Sequence, residues 1–470
     1  MAAGYMRPIG RLDVITALSP YNGSWDERLA AHLLRRAGFS GTPDEVARYA
    51  AMSPYAAAES LIHFADTSNM APPPSPPSYP DYRAIAVRTR RQEALRSIVA
   101  LQMWWLNRML TTPAPLQEKM TFFLHGHFTT AAIEKGVWPT LVLGQNQLFR
   151  QNALGNLRDL TVAVSKDPAM LLYLDNAENN KSHPNENYSR ELMELFTLGL
   201  GNYTEEDVRQ SARAFTGWTV DRQTGAFAFN QRTHDGGVKT FLRRTGNFDG
   251  SDIVDIIYQQ RAAERFWATS LLSAFVYNDP EPELVDEFAN VISRNKFELA
   301  PSMSMLLRSN VFYSPRAYRA LVKSPVEFVV GAHKQLGLAE IVAGTPAALR
   351  AMGQILFHPP NVAGWPGGAN WLTSQMLIAR ENFVAKMVNS PDLSQAGWIS
   401  QIPMDGTRAS KELVATILQG DAPGQAYDQL VAYLNGSGTS ALGALSAENY
   451  DERVRGAAYL TMAMPAYQLG

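Results

Sequence analysis

Cysteine is missing from the 470 residues of this chain. Disulfides, thiolate-bound zinc, iron–sulfur clusters and cysteine nucleophiles are therefore excluded together. Any metal ion would have to be held by histidine, aspartate, glutamate or asparagine side chains. A glycine-rich phosphate fingerprint is also missing, so the sequence does not favour redox chemistry on a bound dinucleotide.

A surplus of either charge is missing as well. The chain has 42 lysine and arginine residues against 44 aspartate and glutamate residues, for a formal net charge of -2. No block of basic residues stands out that would grip a phosphate backbone. We therefore expect no nucleic acid partner.

Long apolar runs are absent from the sequence. No window approaches the roughly 20 consecutive apolar residues that a spanning helix needs, so we expect a soluble protein without a transmembrane segment. Near the N-terminus, Pro8 and Asp13 interrupt the apolar stretch that an export signal would require after Arg7. No intact signal peptide is visible, which leaves a cytoplasmic location open.

Patterns typical of strands are scarce, whereas helical periodicity is frequent. Between residues 83 and 111, for example, Ile98, Leu101 and Trp105 form an apolar stripe. The best strand pattern lies at about 219–242, where aromatic and small residues alternate after a turn. The sequence predicts an all-α fold, a multi-helical globular array with one small β-hairpin insertion at about 219–242.

Proline marks one division of the chain. Residues 71–80 read APPPSPPSYP, a composition that favours an extended segment because proline fixes φ and removes backbone donors. We predict an N-terminal helical segment at 1–70, a Pro-rich connector or strap at 71–82, a main helical body carrying the motif loops at 83–390 and a C-terminal helical portion packed on it at 391–470.

The first candidate site residues are His125 and His127, which flank Gly126. In an extended or irregular segment, residues two apart share a side, so a His-x-His pair can bind one metal ion. The glycine favours such a break in the helix. The alternative is that each imidazole bonds a carbonyl at a helix end, and the pair alone leaves both open.

An asparagine-rich loop at 179–187 leads into a helix that carries Arg190 and Glu191. Glu186, Arg190 and Glu194 have the spacing of a solvated ladder of ion pairs, which is the alternative to a site. The adjoining loop favours a site, because its amide groups precede a helix N-terminus suited to an anion or a sugar. We assign Glu191 and Arg190 as candidate catalytic residues, and Asn185, Asn187 and Tyr188 as candidate substrate-binding residues.

Two further loops carry polar or aromatic candidates. In one, a glycine turn holds His234 and Asp235, a pair that suits a general base, a metal site or ordinary turn chemistry. In the other, His358 opens a loop whose two tryptophans either pack on the core or bind a flat ligand such as a sugar ring. We assign His127, His234, Asp235 and His358 as further catalytic candidates, Trp218, Trp365 and Trp371 as substrate-binding candidates, and His125, His127, His234 and Asp235 as metal-ligand candidates.

These motifs, taken in order, resemble an uncharacterised bacterial family described as domain of unknown function eighteen-hundred. The resemblance rests on residues 32–39 (HLLRRAGF), 125–128 (HGHF), 184–192 (PNENYSREL), 234–236 (HDG), 323–327 (KSPVE) and 360–368 (PNVAGWPGG). It therefore covers nearly the whole chain.

Membership of that family would imply a mostly helical protein that is often exported to the periplasm or beyond. Such proteins are often encoded beside one resembling alkaline phosphatases and sulfatases, which makes a phosphatase- or sulfatase-like protein a candidate partner. No established reaction is implied. The sequence departs from the family pattern at Gly126, where asparagine is more common, and at Ser270, where lysine is expected.

Two functions follow as hypotheses. The first is a hydrolase acting on an extracytoplasmic carbohydrate, another polymer or a small molecule, with Glu191 and a histidine as acid and base. In its metal-dependent version, a divalent ion such as zinc or manganese is the candidate cofactor. The second is a non-enzymatic binding or assembly protein working with the phosphatase- or sulfatase-like partner. Convergence of His127, Glu191, His234 and His358 would favour the enzyme, and their dispersal would favour the second hypothesis.

Overall fold

The computed structural model describes residues 14–395, 397–437 and 443–470. The first residues of the segment predicted at 1–70, with Arg7, Pro8 and Asp13, lie outside the described residues. Up to the strands, the helices are α1 (Val14–Ala17), α2 (Glu27–Arg36), α3 (Pro43–Ala50), α4 (Pro54–Ile62), α5 (Tyr79–Ala84), α6 (Val87–Thr111), α7 (Pro115–His127), α8 (Pro139–Gln151), α9 (Leu157–Ser165), α10 (Pro168–Tyr173), α11 (Asn187–Glu191) and α12 (Glu205–Ala214).

Helices resume after the strands and continue to the end of the described chain. They are α13 (Gly250–Ile257), α14 (Arg261–Phe275), α15 (Pro282–Arg294), α16 (Leu299–Leu307), α17 (Pro325–Gln335), α18 (Thr345–Ala351), α19 (Ser374–Val388), α20 (Pro391–Gln395), α21 (Gly406–Leu418), α22 (Gly424–Leu434) and α23 (Tyr450–Ala463). Short 3₁₀ helices lie at Asn176–Glu178, Gly368–Leu372, Ile399–Gln401 and Pro465–Gln468, and a π-helical turn at Leu192–Thr197 directly continues α11. The prediction of an all-α fold is confirmed.

Two small antiparallel hairpins interrupt the helices, where the sequence predicts one. Strands β1 (Trp218–Val220) and β2 (Phe227–Phe229) form the first, and β3 (Lys239–Phe241) and β4 (Arg244–Gly246) form the second. The predicted hairpin at 219–242 therefore ends earlier than expected. Its last residues belong to the second hairpin, whose tight turn uses positive φ at Leu242 and Arg243, a conformation not signalled by these residue types.

The proline-rich segment has no regular secondary structure over residues 71–78, and then a short helix begins. Ser78 caps α5 through a reciprocal capping box with Asp81, so a short helix begins at Tyr79, within the connector predicted at 71–82. The Ala71 carbonyl accepts a hydrogen bond from Trp104 Nε1 on α6 at 3.0 Å. This bond ties the start of the proline-rich segment to the longest helix.

One apolar core extends through the described chain, from Ala17 near its start to Tyr467 near its end. The boundaries at 70, 82 and 390 stay predictions. Within the described ranges, no helix combines the length and the hydropathy needed to cross a membrane.

The carboxylate of Glu118 on α7 is fully buried and joins three helices. Its oxygens accept hydrogen bonds from Trp105 Nε1 and Arg108 Nε on α6, at 2.8 and 2.5 Å, and from Arg150 Nε on α8 at 2.6 Å. Burial alone would raise the pKa of Glu118, but Arg150 and Arg108 outweigh it and hold the pKa below its usual value. This network fixes the rotation of α7 against its neighbours.

Replacing Glu118 tests how strongly the network holds α7. We expect Glu118→Gln to lower the free energy of unfolding by about 3 kcal/mol, because two largely buried guanidinium groups lose their counter-charge. Since the folded pKa is depressed, the contribution of Glu118 is complete at neutral pH and is lost as the pH falls below the ordinary value of 4.5. Urea denaturation followed by circular dichroism measures both effects.

The matched control is Glu412→Gln on the exposed side of α21. It should change the free energy of unfolding by less than about 0.5 kcal/mol. Equal stability of Glu118→Gln and the wild type would contradict the proposed role of the network.

Candidate functional site

His125 and His127 both lie on α7, which continues through Gly126 to His127. The expectation that the glycine breaks the helix is wrong, so the two rings lie on different sides. His125 Nε2 accepts a hydrogen bond from the Phe357 amide at 3.1 Å, whereas His127 Nε2 donates to the Phe196 carbonyl at 3.0 Å. Burial lowers the pKa of His125 to about 3 and that of His127 to about 4.

Arg190 lies in a surface group of ion pairs that includes Glu186 but not Glu194 of the predicted ladder, because Glu194 accepts a hydrogen bond from Tyr203 instead. Its guanidinium binds both carboxylate oxygens of Glu205, at 2.7 and 2.8 Å, and Glu186 at 3.2 Å. The side-chain carboxyl of neighbouring Glu191 has no hydrogen bond or ion pair among the described residues. Its half-buried carboxyl has a raised pKa, because burial and then Glu194 outweigh the effect of Arg190.

The asparagine-rich loop is satisfied by its own chain. Asn185 N donates to Asn179 Oδ1 at 2.9 Å, and Asn187 Nδ2 donates to the Leu174 carbonyl at 3.3 Å. Tyr188 is buried and its hydroxyl bonds Ser165 Oγ at 2.5 Å. These contacts give Tyr188 a core position, contrary to its predicted role in substrate binding, because the apolar face of the helix turns it inward.

The two remaining candidate histidines, His234 and His358, bond separate carbonyls. His234 Nδ1 donates to the Thr216 carbonyl at 2.8 Å, and His358 Nδ1 donates to the Ala132 carbonyl at 3.1 Å. Asp235 pairs with Arg213 at 2.7 Å, and that guanidinium lowers the pKa of the carboxylate. Trp218 is buried against Phe215 rather than available as a binding platform.

The predicted catalytic cluster is therefore not joined by contacts. No hydrogen bond or ion pair links any two of His127, Glu191, His234 and His358 within the described part of the chain. No group of three or more histidine, aspartate or glutamate side chains among these residues is arranged to hold a metal ion. The metal site predicted from His125, His127, His234 and Asp235 is wrong in its geometry. The helical spacing on α7 turns His125 and His127 to different sides, whereas His234 is bonded to Thr216 and Asp235 to Arg213.

A cavity of about 550 Å³ is lined by a set of residues that differs from the predicted cluster. Its walls come from the end of α2, one face of α7, α14, residues 321–327 and the loop at 363–371. This volume lies in the range of small-molecule sites. Of the predicted site residues, His127, Trp365 and Trp371 line it; His125, Asn185, Asn187, Tyr188, Arg190, Glu191, Trp218, His234, Asp235 and His358 do not.

One face of α7 forms a wall of this cavity. Lys119, Phe122, Phe123, Gly126 and His127 all line it, a spacing that places them along one side of the helix. The network at Glu118, on an adjoining side of α7, therefore also sets the direction of these side chains.

Basic side chains dominate one part of the lining. Arg35, Arg36, Lys119 and Lys323 contribute four cations, and Glu327 is the one acidic residue among the described residues that line the cavity. Lys119 Nζ binds Glu327, whose backbone is fixed by the Ser324 capping box at the start of α17. Lys119 is therefore paired, whereas Arg35, Arg36 and Lys323 form no ion pair with an acidic side chain among the described residues.

Arg36 and Lys323 are two of these basic residues that lack an acidic partner. Arg36 Nη2 donates to the Val276 carbonyl, but Arg36 Nη1 and Lys323 Nζ have no hydrogen-bond acceptor among the described residues. Both side chains are buried, with 3% and 4% of their surface exposed, and Lys323 Nζ lies 3.9 Å above the ring of Tyr467. Burial lowers the pKa of Lys323 well below its usual value, and the neighbouring Arg319 lowers it further.

Sequence reasoning missed these cations as site residues, although two of the family motifs contain them. Arg35 and Arg36 occur near the end of an amphipathic helix, where basic residues commonly have a capping role. Lys323 precedes a strong capping box, which also has a sufficient structural explanation. The available signal was the presence of basic residues at buried positions of separate motifs, which local spacing does not bring together.

The histidine assignment can be tested by pH titration. We expect His125 and His127 to stay neutral between pH 7 and 5, because burial holds their pKa values at about 3 and about 4. Their hydrogen bonds predict opposite tautomers, with the proton on Nδ1 of His125 and on Nε2 of His127. Long-range proton–nitrogen NMR measures both properties; titration of either ring near 6.5 would contradict this assignment.

The comparisons with known proteins give a family and no reaction. No curated protein and no solved structure matches the chain. A family model described as "Protein of unknown function (DUF1800)" matches residues 32–469. The match spans every wall of the cavity except Gly470, and the chain therefore belongs to this family of proteins of unknown function.

Proposed function

We propose that this protein binds a small anionic ligand in the cavity beside α7. The buried basic side chains without an acidic partner support the proposal most directly, because an unpaired buried charge is costly and an anionic occupant would offset that cost. Arg36 Nη1 and Lys323 Nζ are the donors available to a carboxylate, phosphate or sulfate group. Arginine offers a planar donor fork and lysine a point charge, and both are common in such sites.

Lys323 would respond to an anion through its charge. Burial, and then Arg319, Arg35 and Arg380, disfavour its protonated form, and Glu327 opposes them. A negative group beside Lys323 would favour protonation and add a charge-assisted hydrogen bond. The affinity should therefore depend on Lys323 more strongly than on a surface lysine.

Titration calorimetry with inorganic phosphate, sulfate and acetate tests this proposal. Lys323→Met should weaken anion binding by about tenfold or more, because it removes a buried charge-assisted hydrogen bond. Methionine keeps an apolar stem of similar length over Tyr467. Because the substitution removes a buried charge, it should preserve the stability of the ligand-free protein.

Lys411→Met, at an exposed position of α21, is the matched control. It removes the same charge from the molecule without touching the cavity. Equal effects of the two substitutions would identify a general charge effect, and absence of binding to the wild type would contradict the proposal.

Hydrolysis of a carbohydrate, another polymer or a small molecule is the second candidate function, and Glu191 is the observation that favours it. A partly buried carboxyl with a raised pKa suits a general acid, and Arg190 is bound to Glu205 and Glu186 rather than to this group. Burial raises the pKa of Tyr173, and the charges of Glu134 and then Glu191 raise it further. This candidate places the reaction outside the cavity.

A screen of chromogenic glycosides and esters tests the hydrolase proposal. Glu191→Gln should lower turnover by about 10² to 10⁴-fold if Glu191 is the acid, since the amide cannot donate a comparable proton. Glu412→Gln should retain full turnover. Equal turnover of Glu191→Gln and the wild type, or no turnover by the wild type, would count against this candidate.

A binding or assembly role with a phosphatase- or sulfatase-like partner remains compatible with an anion site. Location in the periplasm or outside the cell also remains a proposal, based on the implications of the family resemblance. The anion proposal holds for an enzyme or a binding protein, because it concerns the cavity rather than the reaction.

A further inference from the structure

The part of the cavity wall that α7 forms is charged at one end and uncharged at the other. Lys119, paired with Glu327, lies at one end, and His127 lies eight residues further along. At 1.5 Å per residue, this separation is about 12 Å. A single carboxylate or phosphate group at the cationic end would therefore leave the rest of the wall uncovered.

An apolar platform, formed by Phe123 and Trp365, lies along the part of the α7 wall that such a group would not contact. Phe123 and Trp365 line the cavity and are only partly buried. Gly126 has no side chain to separate Trp365 from the helix, and a β-carbon placed on it would lie 4.0 Å from the Trp365 ring. This surface suits the flat face of a ring.

Neutral polar groups accompany the platform. His127 Nε2 is committed to Phe196, which leaves Nδ1 as an acceptor in the uncharged ring. Ser270 donates its hydroxyl proton to the Phe266 carbonyl and keeps lone pairs that can accept. Ser273 and Asn278 also line the cavity, and their side chains have no hydrogen bond among the described residues. Such a mixture of donors and acceptors matches hydroxyl groups better than a purely aromatic body.

We infer that the ligand is an acidic sugar, whose anionic group lies near Arg36 and Lys323 and whose hydroxylated ring lies against Trp365. This inference rests on the proposed anion site and names its ligand class. A carboxylate of a sugar acid and a phosphate of a sugar phosphate offer the same recognition chemistry. Non-covalent binding is all that the cavity chemistry requires.

Titration calorimetry on the full chain distinguishes the contributions of charge and ring. The probes are glucuronate, glucose 6-phosphate, glucose, inorganic phosphate, acetate and adenosine monophosphate. At least one acidic sugar should bind about tenfold or more tightly than glucose and than its own inorganic or acetate counterpart, because it combines a charge contact with ring stacking. The comparison of glucuronate with glucose 6-phosphate identifies which anionic group the site prefers.

Trp365→Ala tests the position of the ring. It should weaken the preferred acidic sugar by about fivefold or more through lost stacking, while phosphate and acetate change by less than about twofold. Trp138→Ala is the matched control, since that tryptophan stacks on Tyr82 and does not line the cavity. Circular dichroism spectra confirm that both variants are folded.

Three results would overturn the inference. Phosphate or acetate binding as tightly as the acidic sugars would leave the anion site intact but remove the role of the ring. Adenosine monophosphate binding more tightly than the acidic sugars would assign the platform to a planar base. No binding by any anion would overturn the anion site and the acidic sugar together.

Discussion

Buried Glu118 accepts hydrogen bonds from Trp105, Arg108 and Arg150, and this interaction determines how α7 is oriented. The next residue, Lys119, lies about 100° further around α7, lines the cavity and pairs with Glu327. Two neighbouring residues of opposite charge thus connect the core to the cavity. The burial of one fixes the direction of the other, because α7 cannot rotate without breaking the Glu118 network.

Satisfied and unsatisfied polar groups separate scaffold from site in this protein. Arg190, Asp235 and Asn185 stand in motifs that look functional, yet each is bound by partners from its own neighbourhood. Arg36 and Lys323 are buried more deeply and have atoms without an acceptor among the described residues. Because burial of an unpaired cation costs more than an exposed ion pair gains, the second group is the better indication of a ligand.

The fold could be predicted further than the site could. Periodic apolar positions such as Leu101 and Trp105 are local signals, and they correctly indicate helices with a buried face. The second hairpin was missed because its turn residues, Leu242 and Arg243, carry no turn signature. Of the predicted site residues, His127, Trp365 and Trp371 reach the cavity, whereas its cations were missed because Arg36 and Lys323 meet only through tertiary packing.

The cavity draws its walls from residues as far apart as Arg35 and Trp371. Contacts between such distant segments require large loops to close, so they form later in folding than contacts within one helix pair. During synthesis, the residues of α2 and α7 leave the ribosome long before the loop at 363–371 has been made. The site therefore forms only when the fold is complete. A ligand would bind fully folded molecules but not incomplete chains.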